Sequence, residues 1–459
     1  MRKLIYIFDP PTFIGLTMIL VTLAFLIHMM VRKRELHLLI IFIFVSGCSL
    51  FIMMNQVLDL IHMRIDSFDD YIPEGLFVAD ILRGGPGQVL VDYDFIKFFR
   101  TPFFLYTIPL GTLFALSQDS FVAGNFLSTI FGALTIYMIY QMTKDLFDQK
   151  TALLTALFLA ISPFYVFISS VMMRDTMVVF FIAWFYRLWL QYEKTPNLKI
   201  KLLMVFALLC MGFLRSAIMV VVLGTAMTYK IYFDVHRSRQ IIYKFFRLMM
   251  VILGIAAVLL VLTRTIDLKE LKSNALVSGL KYTSLEGIND RIGKNLDAGS
   301  RYYPVVKNDS MMEVAQNAPL LVLYFMCAPF PWEVVKQLQF FALLDSMVLW
   351  VVYLLFFLAV PRFFRQNKKW AIILFGYIFL GVMAASVVQT NVGGSQRHRI
   401  MFTLFILPFA VDQIMYWWYG KKARISAKAK PRTAMAPISA NAPGNWRVAA
   451  GAAKLPQMK

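Results

Sequence analysis

Read from its amino terminus, the chain alternates long apolar runs with short polar breaks. A helix needs about 20 apolar residues to cross the hydrocarbon core of a bilayer, and many of these runs approach that length. The pattern predicts spans near 11–31, 36–55, 121–142, 151–168, 175–192, 199–214, 216–232, 246–263, 341–361, 370–388 and 400–419. The expected fold is an all-α polytopic membrane protein with about 11 transmembrane helices. The period-two alternation of a transmembrane β-barrel is absent. Two further apolar stretches, 103–118 and 318–331, are broken by Pro109, Pro329 and Pro331 or preceded by Pro102. Proline removes a backbone donor, so both are read as juxtamembrane or re-entrant helices in the outer loops.

Composition narrows the class. Hydrophobic residues make up 59% of the 459 positions and charged residues 16%, against roughly 25% charged in soluble domains. This excludes a cytosolic globular protein, a disordered chain and a collagen-like repeat. The formal charge is +20, from 46 Lys and Arg against 26 Asp and Glu. In a soluble protein that excess would suggest nucleic acid. Here the cations gather in the breaks of one parity: Arg32, Lys33 and Arg34; Lys144 and Lys150; Lys194, Lys199 and Lys201; Arg237, Arg239, Lys244 and Arg247; Arg362, Arg365, Lys368 and Lys369. Basic loops stay cytoplasmic, so the prediction is a multi-pass protein of the cytoplasmic (inner) cell membrane with a cytoplasmic C-terminus. Arg2 and Lys3 are a misfit. Cys48, Cys210 and Cys327 form no CxxC and no Cys/His cluster, which supports neither a disulfide framework nor zinc. The run 11–31 has the length of a span and leads into Arg32-Lys33-Arg34, unlike a cleaved signal peptide.

These spans divide the chain into a transmembrane hairpin (1–55), a first outer loop rich in acids (56–120), a transmembrane core (121–263), a second outer loop with a juxtamembrane or re-entrant segment (264–340), C-terminal transmembrane helices (341–420) and a basic tail (421–459). The tail holds too few large apolar residues to fold alone and is expected to be disordered near anionic headgroups. Trp332, Trp417 and Trp418 suit an interfacial belt.

Chemistry concentrates in the outer segments. Ile65-Asp66-Ser67-Phe68-Asp69-Asp70-Tyr71 follows the second predicted span. An acid pair at a membrane surface suits proton abstraction from a hydroxyl, and it could equally hold a divalent cation. An ordinary solvated loop would also carry such acids. Arg174-Asp175 sits where the outer face meets the fifth span, either as a functional pair or as a helix-start ion pair favoured by the dipole. Arg215 separates two short apolar runs; it could bind a phosphate or snorkel to the headgroups. Gly393-Gly394-Ser395-Gln396-Arg397-His398-Arg399 places cations in the last outer loop, against the positive-inside trend, where an anion would satisfy them. Gly84-Gly85-Pro86-Gly87 lacks the strand–helix context and lysine of a nucleotide loop.

The order of these features resembles the membrane-embedded GT-C glycosyltransferases of the protein O-mannosyltransferase and aminoarabinose-transferase type. The residues that carry it are Asp69-Asp70-Tyr71 with Ala79-Asp80-Ile81-Leu82-Arg83-Gly84-Gly85, then Thr101-Pro102-Phe103-Phe104. The segment 121–163 ending Ala160-Ile161-Ser162-Pro163 follows, and Asp175 stands in the place of a second acid. The likeness covers roughly 55–220, with a weaker echo at 394–408. It departs in an extra leading helix and in the spacing from Asp70 to Ala79, which leaves Asp69 and Asp70 as alternatives for the key acid. The resemblance implies a transferase using a polyprenyl-phosphate-linked sugar and a glycan, lipid or protein acceptor, in surface polysaccharide or glycoconjugate synthesis. Asp69, Asp70 and Asp175 become the candidate catalytic acids, and Arg174, Arg215, Arg397 and Arg399 the candidate ligands of the donor phosphate. No cofactor is implied beyond a divalent cation, and no nucleic acid partner.

Two other readings fit parts of the pattern. A polysaccharide polymerase or ligase acting on undecaprenyl-pyrophosphate glycans would use outer-loop arginines without an obligatory carboxylate base. A lipid-linked glycan transporter would carry charges within its helices and internal repeats, whereas here the acids lie in loops and no repeat is evident.

Overall fold

The computed structural model describes residues 71–84, 104–235, 310–334, 337–389 and 391–429, with Thr17 and Asn289. The predicted spans 11–31, 36–55 and 246–263, the Asp69-Asp70 pair, the polar start of the second outer loop and the tail beyond 429 lie outside the described residues.

Among the described residues the regular structure is helical. The helices are α1 (Tyr71–Leu82), α2 (Phe104–Ser117), α3 (Phe121–Leu146), α4 (Gln149–Ile161), α5 (Pro163–Ser170), α6 (Arg174–Lys194), α7 (Leu198–Leu214), α8 (Ser216–Val235), α9 (Met311–Cys327), α10 (Gln337–Gln366), α11 (Lys368–Val388) and α12 (Val392–Ala429), with a 3-10 turn at Pro331–Glu333. Among the described residues, four segments are long and apolar enough to cross a membrane: Val122–Leu146, Ala342–Gln366, Lys368–Val388 and Val392–Gly420; α4 and α5 together make a fifth, bent by 64°. The expected count of about 11 is not reached: the predicted spans 11–31, 36–55 and 246–263 lie outside the described residues, and 175–192, 199–214 and 216–232, which form α6, α7 and α8, are not among the segments that meet this length and apolarity. The predicted 151–168 span is bent because Ser162 ends α4 and Pro163 starts α5, a proline at the first helical position. The stretch 103–118 forms α2, 14 residues with Pro109 inside, too short to span, as its prolines suggested.

Local sequence sets the breaks. Ser120 caps α3 by accepting from Ala123 N, Asp148 caps α4 through Thr151 N at 2.8 Å, Asn197 caps α7 through Lys199 N and Ser310 caps α9 through Glu313 N. Within the apolar helices, hydroxyls turn back on their own backbone: Thr135 donates to Phe131 O, Thr155 to Thr151 O and Thr225 to Val221 O. A polar group surrounded by apolar matter is thereby satisfied.

Helix α6 lies at the centre, packed against α3 and α7, while α3 also receives α2, α4 and α5. Short breaks make sequential helices run antiparallel. The basic breaks after α3 and α6 therefore share one end of the bundle, and the Glu193–Lys369 pair brings the break after α10 to that end, which leaves the N-termini of α3, α6, α8 and α12 at the other. At the basic end two acids meet cations: Asp145 with Arg187 at 2.7 Å and Lys194 at 2.8 Å, and Glu193 with Lys369 at 2.6 Å. Asp412 pairs with Arg362. Phe363 and Phe409 pack edge to face at 4.7 Å nearby. Along α10 the exposed side chains Leu344, Met347, Val348, Val351, Leu354 and Leu358 form one stripe at helical spacing, the arrangement of a lipid-facing surface.

At the opposite end α1 lies on α2. Their approach requires glycine: a Cβ on Gly111 would stand 2.4 Å from Val78 Cβ and 2.6 Å from Gly75 O. Arg83, just past α1, pairs with Asp119 Oδ2 at 3.0 Å and donates to Phe114 O at 2.6 Å. It thereby grips the turn from α2 to α3, where Gln118 and Asp119 take left-handed φ of 55° and 63°, a conformation uncommon outside glycine.

The chain divides into two units, residues 1–414 and 415–459. In the second, Trp417 and Trp418 are exposed, and Gly420 takes a left-handed φ of 66° at the kink of α12.

Candidate active site

The N-terminus of α6 is the first fixed point of the site. Its N-cap, Met173, lacks a capping side chain of its own. Ser128 on α3 supplies the missing contacts: its hydroxyl accepts from Met173 N at 3.2 Å and donates to Met173 O at 3.3 Å. Its single proton is then committed, so the 3.1 Å contact with Tyr106 is Tyr106 O–H donating to Ser128 Oγ. Tyr106, on α2, is fully buried and packs its ring edge to face on Tyr71 at 5.3 Å. Tyr71 opens α1 and directly follows the Asp69-Asp70 pair in the chain. A continuous set of contacts thus joins the start of α1 to the start of α6.

Two charges follow Met173. Arg174 donates to Leu214 O at 2.9 Å, placing a cation on the C-terminal carbonyls of α7, where the helix dipole favours it. Asp175 is buried, and its Oδ1 stands 3.0 Å from Arg215 Nη2. Arg215 is the single residue between α7 and α8, with extended φ of −161°. The apolar runs on either side bring it to the site end of the bundle, and its backbone break lets its side chain turn inward. Burial pulls the Arg215 guanidinium below its ordinary range, the Asp175 carboxylate draws it back up, and Arg174, Tyr71 and Arg397 also lie within electrostatic reach. Arg215 Nη1 further contacts Met401 Sδ at 3.9 Å.

The segment 393–399 differs from expectation. It is not a loop: α12 starts at Val392. Asn391 caps it, accepting from Gly394 N at 2.6 Å. A Cβ on Gly394 would meet Gln389 Oε1 at 2.5 Å, so a larger residue there would need that amide to move. The Gly393-Gly394 pair reads as a loop by propensity, but the tight cap overrides it. Arg397 and Met401 fall four residues apart on one face of α12, the face toward Arg215. Arg399 points elsewhere. It is 1% exposed and donates to Met326 O at 3.0 Å, Ala328 O at 2.9 Å and Ser346 Oγ at 2.8 Å, with Asp345 at 3.7 Å. Its guanidinium is engaged by the end of α9 and by α10.

The structure therefore gathers Arg174, Asp175, Arg215 and Arg397 and sets Arg399 apart from them. Tyr106 and Ser128 join the site without having been singled out, since a tyrosine and a serine in apolar runs carry no mark in the sequence; Tyr71, quoted only as the end of the Asp69-Asp70-Tyr71 motif, joins it through its ring contact with Tyr106. No group of three or more His, Cys, Asp or Glu that could hold a metal occurs among the described residues; Asp69 and Asp70 lie outside them.

Residues 100–263 match the family model described as dolichyl-phosphate-mannose-protein mannosyltransferase, a GT-C family of the type the sequence resembles. The match contains Tyr106, Ser128, Arg174, Asp175 and Arg215; Asp69, Asp70 and Arg397 fall outside it. No curated protein matches the chain.

Proposed function

We propose, with the family match as premise, that the chain is a membrane glycosyltransferase that moves a sugar from a polyprenyl-phosphate donor to an acceptor hydroxyl at the non-cytoplasmic face of the cell membrane, in surface polysaccharide or glycoconjugate synthesis. The observation that carries this reading is the convergence of Arg174, Arg215 and Arg397 beside Asp175 at the bundle end opposite the basic breaks. The bond from the sugar's anomeric carbon to the phosphate oxygen breaks as the acceptor oxygen bonds to that carbon. The acceptor proton passes to a carboxylate, and the polyprenyl phosphate leaves with an added charge. Asp69 or Asp70, tethered to Tyr71, is the proposed base. Arginines fixed before reaction neutralise the leaving phosphate without reorganising.

Asp175 holds Arg215 in an ion pair, which suits it to orienting that cation more than to taking a proton. Arg399 is spent on carbonyls and a hydroxyl and is not assigned to the phosphate. The acid pair could also hold a divalent cation, for which loss of transfer in a chelator and its return on adding Mg²⁺ or Mn²⁺ is the check. The test of the main reading is transfer of a radiolabelled sugar from polyprenyl-phosphate donors by purified protein in proteoliposomes. One sugar added per acceptor supports it. Long repeats would point to a polymerase, and movement of the lipid-linked glycan without a new covalent bond to a transporter.

A further inference from the structure

We infer that Arg399 is a positioning residue for the donor-phosphate site, acting through Arg397 by locking the rotation of α12; this rests on the transferase reading above. The argument begins with helix geometry. Residues two apart on an α-helix point about 200° apart, so Arg397 and Arg399 cannot serve the same site. Each face has its own contacts. Met401, one turn beyond Arg397, touches Arg215. On the other face, Arg399 reaches α9 and α10, and Thr403, one turn further, lies 3.4 Å from Tyr353 Oη of α10.

The Arg399 side is built as a lock. Its guanidinium takes two carbonyls at the C-terminus of α9, where four carbonyls lack helical partners, and a serine hydroxyl on α10. Ser346 in turn donates to Ala328 O at 3.1 Å, and Trp350 Nε1 donates to Cys327 O at 2.9 Å. A planar fork with fixed donor directions tolerates little rotation of the helix that carries it. Turning α12 to loosen these bonds would swing Arg397 away from Arg215. The buried cation thus serves the phosphate site without touching it.

The experiment measures binding of undecaprenyl monophosphate to purified protein in nanodiscs, for Arg399→Lys, Ser346→Ala, Arg397→Gln and the double variants. Lysine keeps the charge near Asp345 but cannot reach all three acceptors at once. Arg397→Gln is expected to weaken binding about tenfold or more, and Arg399→Lys to weaken it about tenfold by misplacing Arg397. In the Arg397→Gln background, Arg399→Lys should add nothing, because the group it positions is gone. Additive losses overturn the inference, as do unchanged affinities for both Arg399→Lys and the milder Ser346→Ala. Hydrogen exchange without ligand gives an independent reading: Ser346→Ala should deprotect the first two turns of α12, and unchanged protection overturns the inference while leaving the transferase reading intact. Failure of the unaltered protein to bind the lipid phosphate overturns both.

Discussion

Arg215 and Asp175 meet at 3.0 Å from different helices, one at a break between α7 and α8 and the other in the first turn of α6. The carboxylate is 3% exposed, so neither charge can easily lose its partner to water. Breaking a buried pair by removing one member typically costs about 3–5 kcal/mol, whereas removing both can be nearly neutral. Asp175→Asn and Arg215→Gln should each lower thermal stability in detergent, by about 2–4 kcal/mol given the partial exposure of Arg215. The double variant should recover most of that loss yet remain inactive, because the phosphate-facing cation is still missing. Recovery of transfer together with stability would assign the pair to structure alone.

The acid pair should behave differently. Asp69→Asn or Asp70→Asn is expected to cut transfer by about 100- to 10,000-fold, with size-exclusion profile and melting temperature unchanged. Single-turnover assays with a labelled donor make the measurement. Full activity in both single variants and in the double variant would remove the pair from the chemistry.

The path from α1 to α6 predicts coupled effects. Tyr106→Phe keeps the ring against Tyr71 but removes the donor to Ser128, and Ser128→Ala removes both contacts to Met173. Each should cost about 1 kcal/mol, and together less than their sum, since one hydrogen bond is shared. Chemical unfolding of the single and double variants reads this out; strictly additive losses would show that the contacts are independent.

Close packing of α1 on α2 gives a steric prediction. Gly111→Ala would drive a methyl to 2.4 Å from Val78 Cβ, and overpacking of this kind costs about 1–3 kcal/mol. The shift should separate α1 from α2 and lower transfer more than it lowers stability, because α1 leads directly out of the acid pair. Gly224→Ala, with only Leu380 Cδ1 at 3.9 Å, is the matched control and should change neither by much.

Sidedness can be read with thiols. In a background with Cys48, Cys210 and Cys327 replaced, Trp332→Cys at the site end, where the tryptophan is 76% exposed, should react with a membrane-impermeant maleimide in intact cells. Lys150→Cys at the basic end should react only after permeabilisation. The reverse pattern would place the site on the cytoplasmic face.

Much of the framework was legible because length and apolarity report directly on membrane crossing. The spans 121–142, 341–361 and 370–388 fall within α3, α10 and α11, and the break at Arg215 was visible as a lone charge, whereas the predicted span 151–168 ran through Pro163, whose place at the first position of α5 bends it. The candidate site was legible where charge stood in an apolar setting: Arg174, Asp175 and Arg215 were singled out for that reason. Two things were hidden. The helical start of α12 was masked by Gly393-Gly394, whose propensity argues for a loop until the Asn391 cap is seen. The separate engagement of Arg399 was hidden because alternation of facing only exists once 393–399 is known to be helical. Tyr106 and Ser128 gave no sign at all, since their roles arise from contacts between α2, α3 and α6.

The two-faced start of α12 has a consequence for comparing related chains. The interval between Arg397 and Arg399 is an angle as much as a distance: one inserted or deleted residue would turn the first cation by about 100° relative to the second. Homologues sharing this arrangement should therefore tolerate exchanges at His398 far more readily than any change in the number of residues there, and an indel at that point would mark a lineage that has abandoned the device.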